Sequence, residues 1–422
     1  MRSGILSYEE AASVVLRHAK KLARVRPATE RVKLEHAAGR VLGRALLADR
    51  DQPPFARSTR DGFACRAAEA SEHVYLAVTG ATHAGDPPSG PVARGAAWEI
   101  MTGAPVPNGA DAVMMLEHVD MANGRVRLLP PRRLKSGENI VTRGAQARKG
   151  HELLPVGTMV GAAQIALAGA CGYSTVEVFI RPRVAILATG DELVPIKATP
   201  APGKIRNSNA PMLAAMVTAV GGEPWVLPAA ADTAKALDKA LAKAADADLL
   251  LITGGVSAGK FDLVEPALAR AGARFYFTGV RIQPGKPTVF CQFPRRHTKS
   301  LQNQNGTKCF GLPGNPVSSA VTFLLFGTPV LRALAGSHEL GPRFALARLS
   351  KDVKAKPGLT RFLPALCTFG GASAKDSGPE VALIDWQGSG DIAAMARANC
   401  FLVVPEDAPR LKAGATVRIL LV

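Results

Sequence analysis

The feature that most constrains this sequence is an unbroken apolar run, Leu249–Thr253, which is followed directly by Gly254 and Gly255. A similar run, Val184–Ala188, is followed by the segment TGDEL at 189–193. Continuous apolar runs of this length are typical of parallel strands that are buried on both faces. Parallel strands need crossover connections, so the chain must also supply helices between them.

Helical patterns occupy the intervals between these strands. The segment 7–10, SYEE, has the spacing of a capping box and predicts a helix over residues 8–24. Asp232 is expected to be the N-cap of another helix, and Asn315 to precede a long helix kinked by an internal glycine and proline. Strand and helix alternate from about 183 to 335, which predicts a doubly wound α/β domain.

Two other regions have a different character. Residues 49–145 are rich in glycine and proline and contain short apolar runs, which predicts a β-rich module with long loops. Residues 340–422 contain further short apolar runs separated by turn residues, which predicts a small sandwich or barrel. The expected fold class is therefore multidomain, α/β plus β.

The charge balance limits the classes of partner. Lys and Arg number 52 against 34 Asp and Glu, giving a formal net charge of +18. Such an excess suits nucleic acid, an anionic membrane or a small anionic substrate. Aromatic residues make up only 5% of the chain, and no basic run is interleaved with them. We therefore expect a small-molecule substrate and no nucleic acid.

Cysteine usage and hydropathy favour a cytoplasmic protein that does not enter a membrane. The N-terminus has no apolar core of a signal peptide. The most apolar stretch, 159–180, contains three glycines and predicts a buried helix followed by a strand. The cysteines form no CxxC motif and read as reduced, mostly buried thiols: Cys65, Cys171, Cys291, Cys309, Cys367 and Cys400.

The segment 254–262, GGVSAGKFD, comes close to a phosphate-binding P-loop. Phe261 stands where that motif needs a Ser or Thr for Mg²⁺, and Pro266 prevents a long helix from following directly. The glycines still leave backbone N–H groups open to an anion. Asp262 could hold a cation beside that anion, or it could simply be a helix N-cap.

Two more glycine and proline loops strengthen the case for an anion site. They are QPGKP at 283–287 and LPGNP at 312–316. Lys286 lies on a stiff loop that suits a fixed positive charge, and Asn315 precedes a helix start. Because open α/β sheets bind ligands at the carboxyl ends of their strands, these loops predict a site for a phosphorylated ligand and a divalent cation.

These motifs together resemble one family. The segments TGDEL, GGVSxGxxD, PGKP and LPGNPVS are similar to those of the MoeA/gephyrin E-domain family, the molybdopterin molybdenumtransferases. In the β-rich module, the segments 58–64 (STRDGFA) and 100–107 (IMTGAPVP) also resemble that family's motifs. The resemblance extends in order over essentially the whole chain.

The resemblance implies four domains. An elongated domain would comprise 27–48 and 146–176, and the β-rich module 49–145 would contribute to the active cleft. A molybdopterin-binding α/β domain would comprise 1–26 and 177–335, and a C-terminal β-barrel domain 336–422. The family forms homodimers, so the active site would lie at the subunit interface.

The resemblance also implies the reaction. Molybdate would be inserted into adenylylated molybdopterin in a Mg²⁺-dependent step that releases AMP. The enzyme would be a molybdopterin molybdotransferase of molybdenum cofactor biosynthesis. A molybdopterin adenylyltransferase would be its upstream partner, because it would supply the adenylylated substrate.

Site residues follow from the matching motifs. The catalytic set implied by the resemblance is Asp61, Thr102, Glu192, Asp232, Asp262 and Lys286, of which Glu192, Asp232 and Asp262 would hold Mg²⁺. Thr102 would lie near molybdate and Lys286 on phosphate. The substrate loops would comprise Gly190, Gly254, Gly255, Ser257, Gly259, Pro313, Gly314, Asn315 and Pro316.

Several positions depart from the family pattern. Gln283 stands where a lysine is usual, so one cationic contact is missing, and Asn139 replaces a frequent aspartate. Arg60 replaces a usual methionine and could restore the charge that is lost at Gln283. These changes affect substrate placement more than the reaction class.

Three alternatives remain open. A P-loop nucleotidase or kinase would need a Ser or Thr after Lys260, which the sequence lacks. A non-catalytic molybdopterin-binding scaffold would call for an additional partner-binding segment. A tungstate-inserting paralogue would share every motif named above.

Overall fold

The computed structural model describes residues 5–87, 90–256, 263–294, 306–369 and 378–422. Contacts divide the chain into two compact units. The first comprises Met1–Arg44, Gly157–Ala162 and Thr175–Val422, and the second comprises Ala45–Val156 and Ala163–Ser174. The first unit contains the α/β domain and the C-terminal barrel, and the second contains the β-rich module.

The α/β domain is built on a mixed sheet. In spatial order its strands are Glu223–Val226, Arg183–Ala188, Leu249–Thr253, Thr307–Leu312, Val289–Phe293 and Arg274–Phe277. The first four are mutually parallel, and the fifth is antiparallel to both of its neighbours. Ala188 pairs with Thr253 and Thr253 with Leu312, so these three strands end level at one carboxyl edge. The predicted doubly wound domain is confirmed.

Side-chain alternation along the strands explains why both faces are covered. In the strand Arg183–Ala188, Val184 and Ile186 join the apolar cluster on one face, and Ala185 and Leu187 join the cluster on the other. Every one of these four side chains is fully buried. Helices cover the first face at Tyr8–Leu22, Asn209–Ala219 and Pro316–Leu334, and the second face at Ala234–Ala244 and Val264–Arg270.

The helix starts confirm one prediction and correct another. The first helix, Tyr8–Leu22, has the predicted capping box, because the Ser7 hydroxyl accepts from the Glu10 N–H and the Glu10 carboxylate accepts from the Ser7 N–H. The predicted N-cap at Asp232 is wrong. Thr233 caps Ala234–Ala244 through its hydroxyl, while Asp232 is engaged with a neighbouring acid described below.

The long helix that follows Asn315 changes its geometry part-way. It is α-helical over Pro316–Thr322, π-helical over Phe323–Gly327 and α-helical again over Thr328–Leu334. The predicted irregularity near the internal glycine and proline is thus a widened turn. By length and composition Pro316–Leu334 could cross a membrane, but 89% of its most apolar window is buried inside the protein, as in a core helix.

The C-terminal part of the first unit is a closed barrel rather than a sandwich. Its strands are Phe344–Leu349, Thr360–Thr368, Glu380–Leu383, Cys400–Val404 and Thr416–Leu421. Pairing of Thr360–Thr368 with both Glu380–Leu383 and Cys400–Val404 closes the circuit. Alternate residues of these strands fill the barrel interior, as the period of two requires. A short helix, Ile392–Arg397, follows the third strand.

The second unit contains the β-rich region that the sequence predicted at 49–145. In spatial order, its main sheet contains Ala112–Met115, Gly62–Cys65, Ala96–Ile100, Leu76–Thr82, Arg125–Leu128 and Val119–Ala122. Short ribbons pair Leu46–Leu47 with Glu152–Leu154 and Arg57–Ser58 with Ile140–Val141. Fully buried Phe63, Leu76 and Met114 form the centre of its core.

The remaining short strands lie in the first unit. They pair Thr29–Lys33 with Thr175–Phe179, Leu193–Val194 with Ile205–Arg206, and Val353–Lys354 with Arg410–Leu411, and Ile282–Gln283 adds to the barrel sheet.

The apolar stretch at 159–180 forms a helix and then a strand, as predicted. The helix Ala162–Ala170 is only nine residues long, and among its side chains only Ala168 is fully buried. The expectation that this helix is buried is therefore wrong. Its alanines and glycine are apolar enough to resemble a core segment in sequence, but they cover little surface. All six cysteines are buried and free, as expected for reduced thiols.

Candidate functional site

A cavity of about 630 Å³ opens at the carboxyl edge of the α/β sheet. Its volume falls in the range of about 300–1,000 Å³ that is usual for small-molecule sites. Its walls come from the ends of the three level strands and from the loops that follow them. Of the residues predicted to form the site, it brings together Gly190, Glu192, Asp232, Gly254, Gly255, Pro313, Gly314, Asn315 and Pro316.

Three glycines are required by the backbone at this edge. Gly190, Gly254 and Gly255 have φ values of 146°, 95° and 61°, which L side chains rarely adopt. A Cβ at Gly254 would overlap the carbonyl oxygen of Thr189, and a Cβ at Gly190 would lie 2.5 Å from the Glu192 carboxylate. Two adjacent strand ends therefore approach each other so closely that only glycine fits between them.

A polar network fixes the cavity floor. The Asn209 Nδ2 amide donates to the Thr253 hydroxyl at 2.8 Å and to the Gly314 carbonyl at 2.6 Å. The Ser319 hydroxyl hydrogen-bonds the Pro313 carbonyl and lies 3.1 Å from the Thr253 hydroxyl. One helix start, one strand end and the proline loop are thus tied together. Sequence reasoning missed this role of Asn209, because a polar residue at the start of a helix suggests only a cap.

The acids of the cavity interact with one another. Asp232 and Asp191 each accept a hydrogen bond from the other's backbone N–H, at 3.4 and 3.1 Å. Partial burial raises the pKa of Asp232, and the negative charges of Asp191 and Glu192 raise it further. A divalent cation would relieve that repulsion. Among the described residues, no group of three or more His, Cys, Asp or Glu is arranged to hold a metal.

The predicted residues Ser257, Gly259 and Asp262 lie outside the described residues, as do Lys260 and Phe261. The helix beyond them begins at Val264 with Leu263 as its N-cap residue, and Pro266 lies in its first turn, as expected. This helix, Val264–Arg270, is seven residues long.

Lys286 lines a second cavity of about 390 Å³. Pro287, Pro313 and Asn315 line both cavities, so the two share a wall. The Lys286 side chain is exposed, whereas its backbone is fixed: its carbonyl accepts from the N–H groups of Val280 and Thr288 at 2.9 and 3.0 Å. The backbone of this loop is therefore held in place, and no ion pair of Lys286 is seen among the described residues.

The C-terminal barrel supplies walls that the sequence did not reveal. Gly390 and Ile392 line the larger cavity, and Trp386 and Ser389 line the smaller one. The sequence indicates this contribution only weakly. The glycine-rich stretch WQGSG at 386–390 follows a strand and predicts only a turn. This turn reaches the sheet edge through tertiary packing, which no local pattern predicts.

Contact with the barrel changes the expected helix end. The Asn315 Nδ2 donates to the Ser389 hydroxyl at 2.7 Å, and the Ser389 carbonyl accepts from the Val317 N–H at 3.1 Å. A free N–H at this helix start was expected to attract an anion. One of these donors is already used, because the barrel's own carbonyl occupies it.

The remaining predicted residues lie in the second unit. Asp61 accepts a hydrogen bond from the Thr102 backbone N–H at 2.6 Å. Hydrogen bonds from Thr102, its backbone N–H first, lower the pKa of the Asp61 carboxyl. The following residue, Gly62, has φ 159° and no room for a side chain, since a Cβ would overlap the Met114 carbonyl oxygen. The pair is thus an exposed carboxylate with a fixed orientation.

Comparison with known proteins identifies the family. Residues 6–172 match the model of the MoeA N-terminal region, domains I and II. Residues 185–333 match a probable molybdopterin binding domain, and residues 346–422 match the MoeA C-terminal region, domain IV. The chain belongs to the MoeA family. The family resemblance that the sequence motifs indicated is confirmed.

Individual relatives agree along nearly the whole chain. A molybdopterin molybdenumtransferase of Bacillus subtilis is 36% identical over 93% of this chain and 90% of its own length. One from Nostoc sp. is 34% identical over 93% of this chain and 88% of its own length. A MoeA crystal structure from Pyrococcus horikoshii OT3 has a TM-score of 0.77 at 28% identity, with 99% of this chain and 100% of that chain covered.

Proposed function

We propose that this MoeA-family transferase acts in molybdenum cofactor biosynthesis by inserting molybdate into adenylylated molybdopterin, with release of AMP. The observation that carries the proposal is the cavity at the sheet edge, which gathers the three family motifs TGDEL, GGV and LPGNP around one space. Its volume suits a pterin with a phosphate group. The adjoining cavity, with Lys286 at its wall, gives the substrate's second half a place beside a cation.

The acids fit a role in binding Mg²⁺. Mg²⁺ is usually held by one or two carboxylates together with substrate phosphates. Glu192 and Asp232 line the same cavity, and the pKa of Asp232 is raised by its partial burial and then by the negative charges of Asp191 and Glu192. We propose that these two residues and Asp262 hold Mg²⁺ and that the ion, when bound, neutralises charge on the phosphoanhydride. Asp232 and Glu192 would orient it, and Lys286 would hold a phosphate oxygen.

Asp61 and Thr102 are proposed to belong to the same reaction through a homodimer. Both residues are exposed, so their carboxylate–N–H arrangement is accessible to a second copy of the chain. We propose that the β-rich module of one copy contributes Asp61 to the α/β cavity of a second copy. Thr102 would then lie close to molybdate.

We also propose the domain division, the upstream partner and the compartment. The four-domain division at 27–48 with 146–176, 49–145, 1–26 with 177–335, and 336–422 stays a proposal. A molybdopterin adenylyltransferase would deliver the substrate. Buried free cysteines suit a reducing compartment such as the cytoplasm.

The reaction can be tested directly. Purified protein would be incubated with adenylylated molybdopterin and Mg²⁺, together with either molybdate or tungstate. We expect AMP release that depends on Mg²⁺ and molybdenum that stays with the pterin. Preference for tungstate would identify the tungsten-inserting alternative, and retention of substrate without AMP release would identify a scaffold.

The shared site has its own test. Asp61→Ala and Asp262→Ala are each expected to be inactive, because each removes one half of the site. Mixing the two under conditions of subunit exchange should restore part of the activity in hybrid dimers. If exchange is demonstrated and activity stays at background, the site lies within one subunit.

A further inference from the structure

Arg206 differs in charge from the other ionisable side chains of the larger cavity. Among the described residues that line this cavity, Glu192 and Asp232 are acidic and Arg206 alone is basic. Lys286, the cation carried over from the family motif, lines the second cavity instead. A phosphorylated ligand in the larger cavity would therefore meet one fixed positive charge.

The Arg206 side chain is oriented by its own surroundings. Its Nε donates to the carbonyl of Ile196 at 2.9 Å and to that of Ala198 at 3.0 Å. These are neutral acceptors, so they fix the guanidinium without cancelling its charge. Within the described part of the chain, its two terminal amino groups have no hydrogen-bond or ion-pair partner. The fork that binds phosphate with two parallel hydrogen bonds is thus left available.

The backbone places Arg206 beside Glu192. The strands Leu193–Val194 and Ile205–Arg206 are parallel, with Arg206 paired to Val194. The Ile205 N–H donates to the Glu192 carbonyl at 2.8 Å. Glu192 therefore lies directly before the first strand of this two-stranded ribbon, and Arg206 is the last residue of its second strand. No ion pair joins the two side chains among the described residues. One lip of the cavity therefore presents a carboxylate and a guanidinium that do not neutralise each other.

We propose that Arg206 binds the phosphoanhydride of the substrate in the larger cavity. The inference rests on the proposed function and identifies the side chain that binds the substrate's phosphates in this cavity. Arg206 supplies two N–H donors to phosphate oxygens, and Glu192 beside the same ribbon would help to hold the Mg²⁺ of the proposed function. The pairing explains why a cavity walled by acids accepts an anionic ligand.

A purely structural role for Arg206 predicts something different. If the side chain served only to hold the loop at Ile196 and Ala198, its replacement would lower stability and affect all ligands alike. If it binds phosphate, its replacement affects only ligands that carry phosphate. The comparison therefore needs a charged and an uncharged ligand that share one nucleoside.

The probes are ADP, which carries a phosphoanhydride, and adenosine, which does not. Binding to wild type, Arg206→Gln and Arg206→Lys would be measured by calorimetry at one fixed salt concentration with Mg²⁺. The matched control is Lys204→Gln. Lys204 lies two residues away and donates to the Asp191 carbonyl, but it does not line the cavity. Both substitutions remove one positive charge from the same segment.

We expect Arg206→Gln to weaken ADP binding about ten- to a hundredfold, as for loss of a charged hydrogen-bonding pair. Arg206→Lys should fall between it and wild type, because it keeps the charge and loses the fork. Lys204→Gln should change ADP affinity less than about twofold, and adenosine affinity should be equal in all four proteins.

Three results would overturn the inference: equal ADP affinity in wild type and Arg206→Gln, an equal loss in Lys204→Gln, or a parallel loss of adenosine binding. Metal insertion by the wild type is assayed on the same preparation. If the wild type inserts metal but Arg206→Gln binds ADP as tightly as the wild type does, only the role of Arg206 is rejected. If the wild type neither binds ADP nor inserts metal, the proposed function is rejected as well. If Arg206→Gln does not fold, Arg206→Lys decides, and ADP affinity equal to wild type in that variant contradicts the two-donor contact.

Discussion

Asp191 and Asp232 each donate a backbone N–H to the other's carboxylate: the Asp191 N–H lies 3.4 Å from the Asp232 carboxylate, and the Asp232 N–H lies 3.1 Å from that of Asp191. The exchange holds two negative charges close together beside Glu192. Such an arrangement costs free energy when both acids are ionised, and the two backbone N–H groups offset part of that cost. Partial burial, together with this repulsion, raises the pKa of Asp232.

The first prediction concerns the pH dependence of that cost. The folded pKa of Asp232 is raised from about 3.8, so its contribution to stability is fully present below that value and is lost as pH rises through the folded pKa. Asp232→Asn should therefore gain stability relative to wild type as pH rises from about 3.8. We expect a gain on the order of a few tenths of a kcal/mol, because solvent screens this partly exposed site.

Urea unfolding at several pH values without Mg²⁺ checks the sign. Asp61→Asn is the control with the opposite sign, because hydrogen bonds lower the pKa of Asp61. Its wild-type carboxylate contributes stability that is lost as pH falls through the folded value. Parallel pH profiles for the two variants would contradict the assigned causes.

A second prediction concerns the glycine turn. Gly254→Ala should destabilise the protein by more than about 2 kcal/mol, because it combines a left-handed φ with overlap of the Thr189 carbonyl oxygen. Gly203→Ala is the matched control, since Gly203 has φ 78° but nothing within 4 Å of an added Cβ. It should cost only about 1 kcal/mol from backbone strain. Equal losses in chemical denaturation would show that the close approach at Gly254 is relieved by small movements.

The strand before the glycine turn shows which features can be predicted from the sequence. Leu249–Thr253 was predicted as a buried strand because every side chain in it is apolar or small, and the structure buries all five. The barrel strands and the capping box at Ser7 were predicted for the same reason: each pattern is local. The motif residues around the larger cavity followed from the rule that parallel strands share a carboxyl edge.

What the sequence could not predict depends on distant contacts. Ser389 reaches the Val317 N–H only because the barrel packs against the start of the long helix. Asp232 was expected to cap a helix, but Thr233 at the next position competes for that role and Asp232 turns to Asp191. Arg206 reads as an ordinary surface charge until the ribbon places it at the cavity.

A third prediction tests the network at the cavity floor. Asn209→Asp should be more destabilising at pH 7 than at pH 4, because an ionised carboxylate cannot donate to the Gly314 carbonyl, whereas a protonated one can. Asn209→Ala should cost about 1 kcal/mol at both pH values, since it removes one donor to the buried Thr253 hydroxyl and to the exposed Gly314 carbonyl. Thermal unfolding of the two variants at both pH values is the measurement. A pH-independent loss in Asn209→Asp would mean that the donor to Gly314 is unimportant.

A fourth prediction concerns His18, far from the cavity. The centroid of its ring lies 4.0 Å from that of the Tyr276 ring. Burial lowers the pKa of His18 to about 4, and nearby positive charges contribute to the decrease: Lys308, Lys21, Arg17 and Arg274. A lowered folded pKa means stability that is present above about 6.5 and lost as pH falls toward 4. His18→Phe should flatten that part of the stability profile. A ring titration by NMR with a midpoint near 6.5 would contradict the prediction.

The last prediction compares two lysines that the sequence places in glycine loops. Lys286 is held by a loop whose backbone is fixed, since Thr288 donates to the Gly285 carbonyl at 2.6 Å and Gly285 has φ 116° with Thr322 against its missing Cβ. A charge on a rigid loop loses little entropy on binding, so it stabilises a bound phosphate effectively.

Lys260 lies outside the described residues, and its motif lacks the Ser or Thr of a P-loop. Lys286→Ala should therefore lower the rate of metal insertion considerably more than Lys260→Ala, which should change it less than about tenfold, in line with the small worth of an exposed charge. Both rates must be measured at one modest salt concentration, because screening flattens such differences. If Lys260→Ala is inactive in metal insertion and Lys286→Ala is nearly as active as the wild type, the prediction is wrong and residues 254–262 form a phosphate site of the P-loop type.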